Sequence, residues 1–312
     1  MYQTMLRCFE TETIDMLPML EQDLIKHGYK PTCNSLHLYA PGNIPILLVA
    51  HVDTVHMGPP NTIYHDERKG CLWSPDGLGA DDRAGVFGVL EILRRGYQPH
   101  ILFTDEEECG GHGASEAVNT WDAPDVKLII QLDRMNGKDA VWYNCENNKA
   151  EKWVNQHGFK TAHGSFSDIS ILAPEWHIAA VNLSIGYYDQ HTNSEHLILS
   201  EAMATVDKVC KMLATPPKKR FQYHAKKRVL YSNSQQLTTS SQWKNFTPIT
   251  PSHLDERDLV DAMGLDLDED ICEGCDQLTV VSKMVMYHGD VFLCPACAEE
   301  VGILGAVKEE AY

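Results

Sequence analysis

The sequence predicts an α/β protein, a three-layer sandwich around a mostly parallel central sheet, followed by a small C-terminal domain. Three observations predict it. Short apolar runs alternate with amphipathic stretches through the first two thirds of the 312 residues. One run, IPILLVA at 44–50, is unbroken, which suits a strand covered on both faces. Composition then changes abruptly after residue 214.

In chain order, residues 11–28 read as an amphipathic helix, with Pro18 limiting its first turn. SLHLYA at 35–40 alternates as a strand does, and IPILLVA follows as a buried one. Residues 62–74, with Lys69-Gly70 near the middle, read as a hairpin. Then DDRAGVFGVLEILRRG reads as a helix, HILFT as a strand, GHGASEAVNTW as a short helix and VKLIIQL as a strand. NNKAEKWVNQHG is a helix, IAAVNLS a strand, and LSEAMATVDKVCKMLA at 199–214 a helix. Strands alternating with helices imply parallel pairing, with sites gathered at the C-terminal ends of the strands.

From Thr215 to His253 there is no acidic residue; the stretch opens on a basic run, KKRFQYHAKKR, and continues as a polar linker. From Asp255 to Asp270 the sign flips, with eight acids and one arginine. The expected division is therefore 1–214, a linker at 215–254, and 255–312. A net charge of −18 argues against nucleic-acid binding by the whole protein. The bland reading of the basic run is a solvated linker. No apolar stretch approaches the ~20 residues a membrane-spanning helix needs, and no secretory signal is evident. Ten cysteines, four of them in two CxxC pairs, look like reduced thiols plus a metal site and point to the cytoplasm.

Metal-binding side chains recur directly after expected buried strands: His51 and Asp53; Asp81 and Asp82 ahead of a helix; Asp105 to Glu108; Asp133; and His191 a few residues after AAVNLS. Imidazole and carboxylate are the ligands of hydrolytic zinc, cobalt or manganese sites. Each piece alone is weak. A lone HxD is more often a surface loop, Asp81-Asp82 can be a helix N-cap, and a run of acids is usually a solvated face. Their order, spacing and strand-end positions agree.

HVDTV, GADDRAGV, EECGGHGA, LDR and HTNSE resemble, in the same order, the motifs of co-catalytic zinc exopeptidases, the group of tripeptidases, acetylornithine deacetylases and bacterial leucyl aminopeptidases. The resemblance covers about residues 45–200 and implies a zinc exopeptidase-like sandwich. It implies that His51 and Asp133 hold one metal and Glu108 and His191 the other, with Asp81 bridging. Asp53 would orient the ligand histidine, and Glu107 would be the general base. The family pattern Glu-Glu-x-Gly selects Glu107 and Glu108 and leaves Glu106 spare; along an extended segment neighbouring side chains point to different sides, which agrees with separate roles. Cys109 reads as a small buried residue. Asp168, in GSFSDIS, reads as a helix N-cap or as a contact for a substrate amine. The group's lid domain has no room between His51 and Asp81 or between Asp133 and His191, so a lidless catalytic domain is expected.

Cys272, Cys275, Cys294 and Cys297 form two CxxC pairs separated by eighteen residues, the pattern of a structural zinc site in a zinc ribbon-like module. The intervening residues read as two short strands joined near His288-Gly289. The module would offer a route to a protein partner or a homo-oligomer. The implied function is hydrolysis of a peptide or amide substrate by a two-metal-activated water, most simply by an aminopeptidase. An amidohydrolase, or a peptidase fold kept for binding, is the alternative.

Overall fold

The computed structural model describes residues 1–226 and, further on, the strand segments 269–271, 278–280, 285–287 and 291–293. Two compact units divide the chain at Ala225.

The first unit opens with helix α1 (Tyr2–Glu10), which the sequence reading did not pick out; Met5, Cys8 and Phe9 form its buried face. Helix α2 (Thr13–Lys26) runs through Pro18. The carbonyl that the proline cannot serve belongs to Ile14, an exposed residue, so the helix tolerates the ring there. Strands β1 (Thr32–Cys33), β2 (His37–Ala40) and β3 (Ile44–His51) follow, then the hairpin β4 (Tyr64–Asp66) and β5 (Cys71–Trp73). Next come α3 (Ala80–Arg94), β6 (Pro99–Thr104), α4 (His112–Thr120), β7 (Ile129–Arg134), β8 (Asp139–Val141) and α5 (Asn148–Asn155). The unit continues with β9 (Lys160–Ala162), α6 (Ile169–Trp176), β10 (Ala180–Ser184), β11 (Tyr187–Tyr188), β12 (His196–Ile198) and α7 (Leu199–Ala214).

The main sheet has the order β1-β2-β6-β3-β7-β10-β8-β9. Its centre, β6-β3-β7-β10, is parallel, as expected, but β1, β2 and β8 join antiparallel, so the whole is mixed. Strand β3 is buried on both sides. Ile46, Leu48 and Ala50 enter one core, and Leu47 and Val49 the other. Helices α1, α3 and α7 pack on the first face and α4 and α6 on the second, giving three layers. The interval between Asp133 and His191 is absorbed by β8, α5, β9, α6, β10 and β11.

Helix α3 is buried all round, from Ala80 to Leu93, because it lies among β3, β7, α1 and α7. Gly85 permits this: a Cβ there would stand 2.0 Å from the Leu132 carbonyl oxygen and 2.3 Å from Asp82 Oδ1. A second sheet, β11-β12-β5-β4, turns Tyr187, Leu197 and Leu72 inward and carries residues 189–195 as the connection between β11 and β12.

The expected boundary at 214 falls short of the first unit's end. Phe221 N–H donates to the Lys127 carbonyl, Ala179 N–H to that of Phe221, and Glu146 N–H to that of His224. The basic run therefore begins as an edge segment bonded to the body rather than as free linker. In the second unit, β13 (Glu269–Ile271) pairs antiparallel with β14 (Leu278–Val280), and β15 (Val285–Tyr287) with β16 (Val291–Leu293). The latter pair brackets His288-Gly289, where the sequence placed a turn. The four cysteines lie outside the described residues.

Candidate active site

Parallel registry brings the functional side chains to one edge. His51 is level with Thr104, the last residue of β6, and Val49 with Gln131, so Asp133, one residue before the end of β7, falls beside His51. Asp81 arrives from the start of α3, Glu107 and Glu108 from the turn after β6, and His191 from the β11–β12 connection. This is the C-terminal edge of the parallel strands, where α/β sheets place their ligands.

One carboxylate organises the cleft. Asp81 Oδ1 lies 3.2 Å from His51 Nε2, and its Oδ2 lies 3.3 Å from His191 Nε2. His51 Nε2 is also 3.4 Å from Asp133 Oδ1, and His191 Nε2 is 3.1 Å from Glu108 Oε2. Two triads result, His51 with Asp81 and Asp133, and Asp81 with Glu108 and His191. Within each, the ligand atoms lie within 4.8 Å of one another. Glu107 Oε2 stands 3.9 Å from His51 Nε2, and His51, Glu107 and Glu108 form a further group of that size.

The neighbouring acid has a different task. Asp82, fully buried, accepts the Gly85 N–H at 2.9 Å and the His51 N–H at 3.2 Å. Asp82 thus serves the Gly85 N–H from within the irregular first turn of α3, as a cap would, and Asp81 is left in the cleft.

A layer of hydrogen bonds aims these groups. His51 Nδ1 meets Asp53 Oδ1 at 3.2 Å, and the Asp53 carboxylate also accepts the N–H groups of Glu107 and Glu108. Asp133 Oδ2 accepts from Gln131, Ser167 and Asn182, which leaves Oδ1 facing His51. Gln131 and Asn182 carry no expectation from the sequence, and Ser167 only as part of GSFSDIS. The signal for Gln131 was present, since it shares a face with Asp133 two residues on in an otherwise apolar strand.

The segment after β6 is a turn rather than an extended strand, so its side chains do not alternate as expected. Glu106 has φ 59° and turns outward to His112 Nδ1 at 2.9 Å, while Glu107 and Glu108 both enter the cleft. Cys109 is exposed, not buried as expected, because it occupies the outer side of that turn. Partial desolvation within the turn and the surrounding acids still raise its thiol pKa. Asp168 sits at the N-cap position of α6 without capping it through its side chain. It is fully buried instead, with Oδ2 accepting from Thr104 at 2.5 Å and Oδ1 lacking a hydrogen-bond partner.

Charge in the cleft is unbalanced toward the negative. Burial holds Glu107 well above the ordinary carboxylate range, against the pull of His51 and with the push of Asp133, Glu108 and Asp168. Burial and the Asp81 charge raise Asp133 to about 6. Burial would lower His51, yet its hydrogen bonds with Asp133, Asp53 and Asp81 raise it well above the usual imidazole value. His191 is raised in the same manner by Glu108 and Asp81. Crowded oxygens with two imidazole nitrogens, converging on two adjacent points that share a carboxylate, fit a pair of divalent cations such as zinc, cobalt or manganese.

Residues 37–177 match a family model described as peptidase family M28. That span includes His51 through Asp168 and stops before His191. No curated protein matches the chain. A tripeptidase structure from Staphylococcus aureus is similar at 14% identity and a TM-score of 0.57, covering 68% of this chain and 96% of its own. Aminopeptidase PepT from Bacillus cereus is similar at 15% identity and 0.54, with 68% and 96% covered. The TET aminopeptidase of a marine sediment Thaumarchaeota archaeon is similar at 13% and 0.52, with 70% and 97% covered. The first compact unit thus has the mixed α/β fold of these peptidase structures, with an acidic two-cation cleft at the edge of its parallel strands.

Proposed function

We propose that the chain is a metal-dependent aminopeptidase acting through two cations and a water. The observation that carries the reading is Asp81, whose two oxygens each face a different histidine. His51, Asp81 and Asp133 would hold one cation, and Asp81, Glu108 and His191 the other. Bound there, the cations acidify a shared water and polarise the scissile carbonyl. Glu107 carries the proton, taking it from the attacking water and returning it to the leaving amine. Asp53 fixes the His51 tautomer through Nδ1 and leaves Nε2 as the ligand atom.

The preference for a free amino end rests on the open cleft. The intervals that hold a lid in the lidded relatives of this group are filled by β4, β5 and by β8 to β11, so a lidless catalytic domain is the reading they support. Nothing in these intervals forms a separate compact unit that could grip a substrate carboxylate at the far end.

For the second unit, Cys272, Cys275, Cys294 and Cys297 would hold one structural zinc; Cys294 follows the last residue of β16 in sequence. That module is the candidate surface for a protein partner or a second copy. No helix among the described residues is long and apolar enough to cross a membrane, and the cytoplasm is the proposed location.

A panel of unblocked aminoacyl, N-acyl and carboxypeptidase substrates tests the reading, run on chelated protein and again after divalent ions are restored. Turnover of aminoacyl substrates only, lost on chelation and regained with the ions, is expected. Equal turnover of N-acylated substrates would refute the aminopeptidase assignment, and metal-independent turnover the mechanism.

A further inference from the structure

Glu195 lies four residues after His191, and only 1% of it is exposed. Its carboxylate gathers three strands of chain that bear site residues. Oε2 accepts the Gly79 N–H at 2.5 Å and contacts His56 Nε2 at 3.1 Å, while Oε1 accepts the N–H of Asp81 itself at 3.0 Å. His56 belongs to the loop that continues from His51 and Asp53. Its ring lies against Gly77, where a Cβ would come within 2.1 Å of it. Gly79 holds φ 68°, the left-handed conformation that lets the turn into Asp81 present two N–H groups to one acceptor.

His191, in contrast, is poorly rooted. Its side chain is 47% exposed, and both it and Asp189 have positive φ. Beyond the pairing of β11 with β12, the connection between them turns mainly on short local bonds, Ser194 N–H to Thr192 Oγ1 and Glu195 N–H to the Thr192 carbonyl, with one weak contact outward, from Gln190 Nε2 to Met135 Sδ at 3.6 Å. Glu195 is the point at which this connection is fastened beneath the cleft. The same carboxylate fastens the backbone of Asp81, so the spacing between Asp81 and His191 is set through Glu195.

We propose that Glu195 is a positioning residue that fixes Asp81 against His191 and thereby sets the affinity of the Asp81–Glu108–His191 cation position, with His56 holding Glu195 in place. The inference rests on the two-cation reading above. His51 and Asp133 lie at the ends of neighbouring strands and are held by Asp53, Gln131, Ser167 and Asn182, so their position depends far less on Glu195.

The test is a calorimetric titration of the demetallated full chain with cobalt. Visible absorption separates ions bound by nitrogen and oxygen from any bound by thiolate. Glu195→Gln preserves size but supplies one acceptor oxygen where two N–H groups and His56 need a carboxylate. One of the two cleft positions is expected to weaken by roughly 10–100-fold, as loss of an outer hydrogen-bond partner does, while the other changes by less than about 3-fold. His56→Leu, which leaves the carboxylate in place, should show the same pattern at smaller size. Equal weakening of both positions, or unchanged affinity at both in a folded variant, would overturn the proposal. Wild-type protein that binds no cobalt in the cleft would overturn the two-cation reading as well.

Discussion

Asp53 receives the Glu108 N–H on Oδ2 at 3.0 Å while its Oδ1 stands 3.2 Å from His51 Nδ1. One carboxylate therefore joins the ligand of one cation position to the ligand of the other from beneath. Its hydrogen-bond partners are two backbone N–H groups and the imidazole Nδ1. Asp53→Asn would turn an amide N–H₂ toward a backbone N–H or the imidazole, and divalent affinity should fall by roughly 10–100-fold. Metal titration of the variant checks this; wild-type affinity would show that the bond does not tune the site.

Glu107→Gln should keep both cations and lower kcat by about 10²–10⁴-fold, the usual contribution of a positioned proton carrier. Glu106→Gln should act like wild type, because Glu106 faces His112 outside the cleft. Steady-state kinetics beside metal analysis separate the two. An inactive Glu106→Gln with an active Glu107→Gln would reverse the assignment.

Arg83 is buried next to the cleft, yet its guanidinium faces away from it. Nη1 donates to the carbonyls of Cys8 and Thr11, and Nη2 to Thr13 Oγ1, so the α1–α2 junction is tied to the start of α3. Hydrogen bonds from a charged donor are each worth about 1.5–3 kcal/mol, and Arg83→Met should cost about 2–4 kcal/mol in urea unfolding. Proteolysis should begin within α1. Unchanged stability would mean that packing by Met5, Cys8 and Phe9 holds the arm alone.

A chain ending at residue 226 should fold and keep its cleft, since every site residue and every strand of the first unit precedes that point. A chain ending at 214 loses the edge bonds of residues 221–224 to Lys127, Ala179, Glu146 and His177 and should melt lower. Thermal melts of the two truncations decide it; identical melting temperatures would return the boundary to 214.

Long, strongly patterned elements were legible. Helix α7 matches its expected span of 199–214, and β3 its apolar run, because their burial is written in consecutive residues. Strands β8, β9, β11 and β12 are two or three residues long, too short for any period to register; pairing with distant partners makes them. Helix α1 carries only a short signal, apolar residues at 5, 8 and 9 in a nine-residue span, little more than two turns. At the site, residue types after strands pointed to the cleft, whereas the supporting partners did not stand out. Ser167 and Asn182 are ordinary polar residues until folding brings them against Asp133. Glu195 lay inside the quoted HTNSE, but an acid in a loop looks solvated until its burial is known.

The close approach of α3 to β7 at Gly85 bears on how this protein tolerates change. A side chain at 85 would press at once on the Leu132 carbonyl, one residue from Asp133, and on the carboxylate that holds the His51 N–H. Any substitution must shift the helix, the strand or the Asp82 carboxylate, and is expected to disturb the spacing of Asp81 and Asp133. A saturation scan for function would therefore rank an atom that is not there alongside the acids and histidines, and a designer grafting this cleft onto another scaffold must transplant an empty space as faithfully as any ligand.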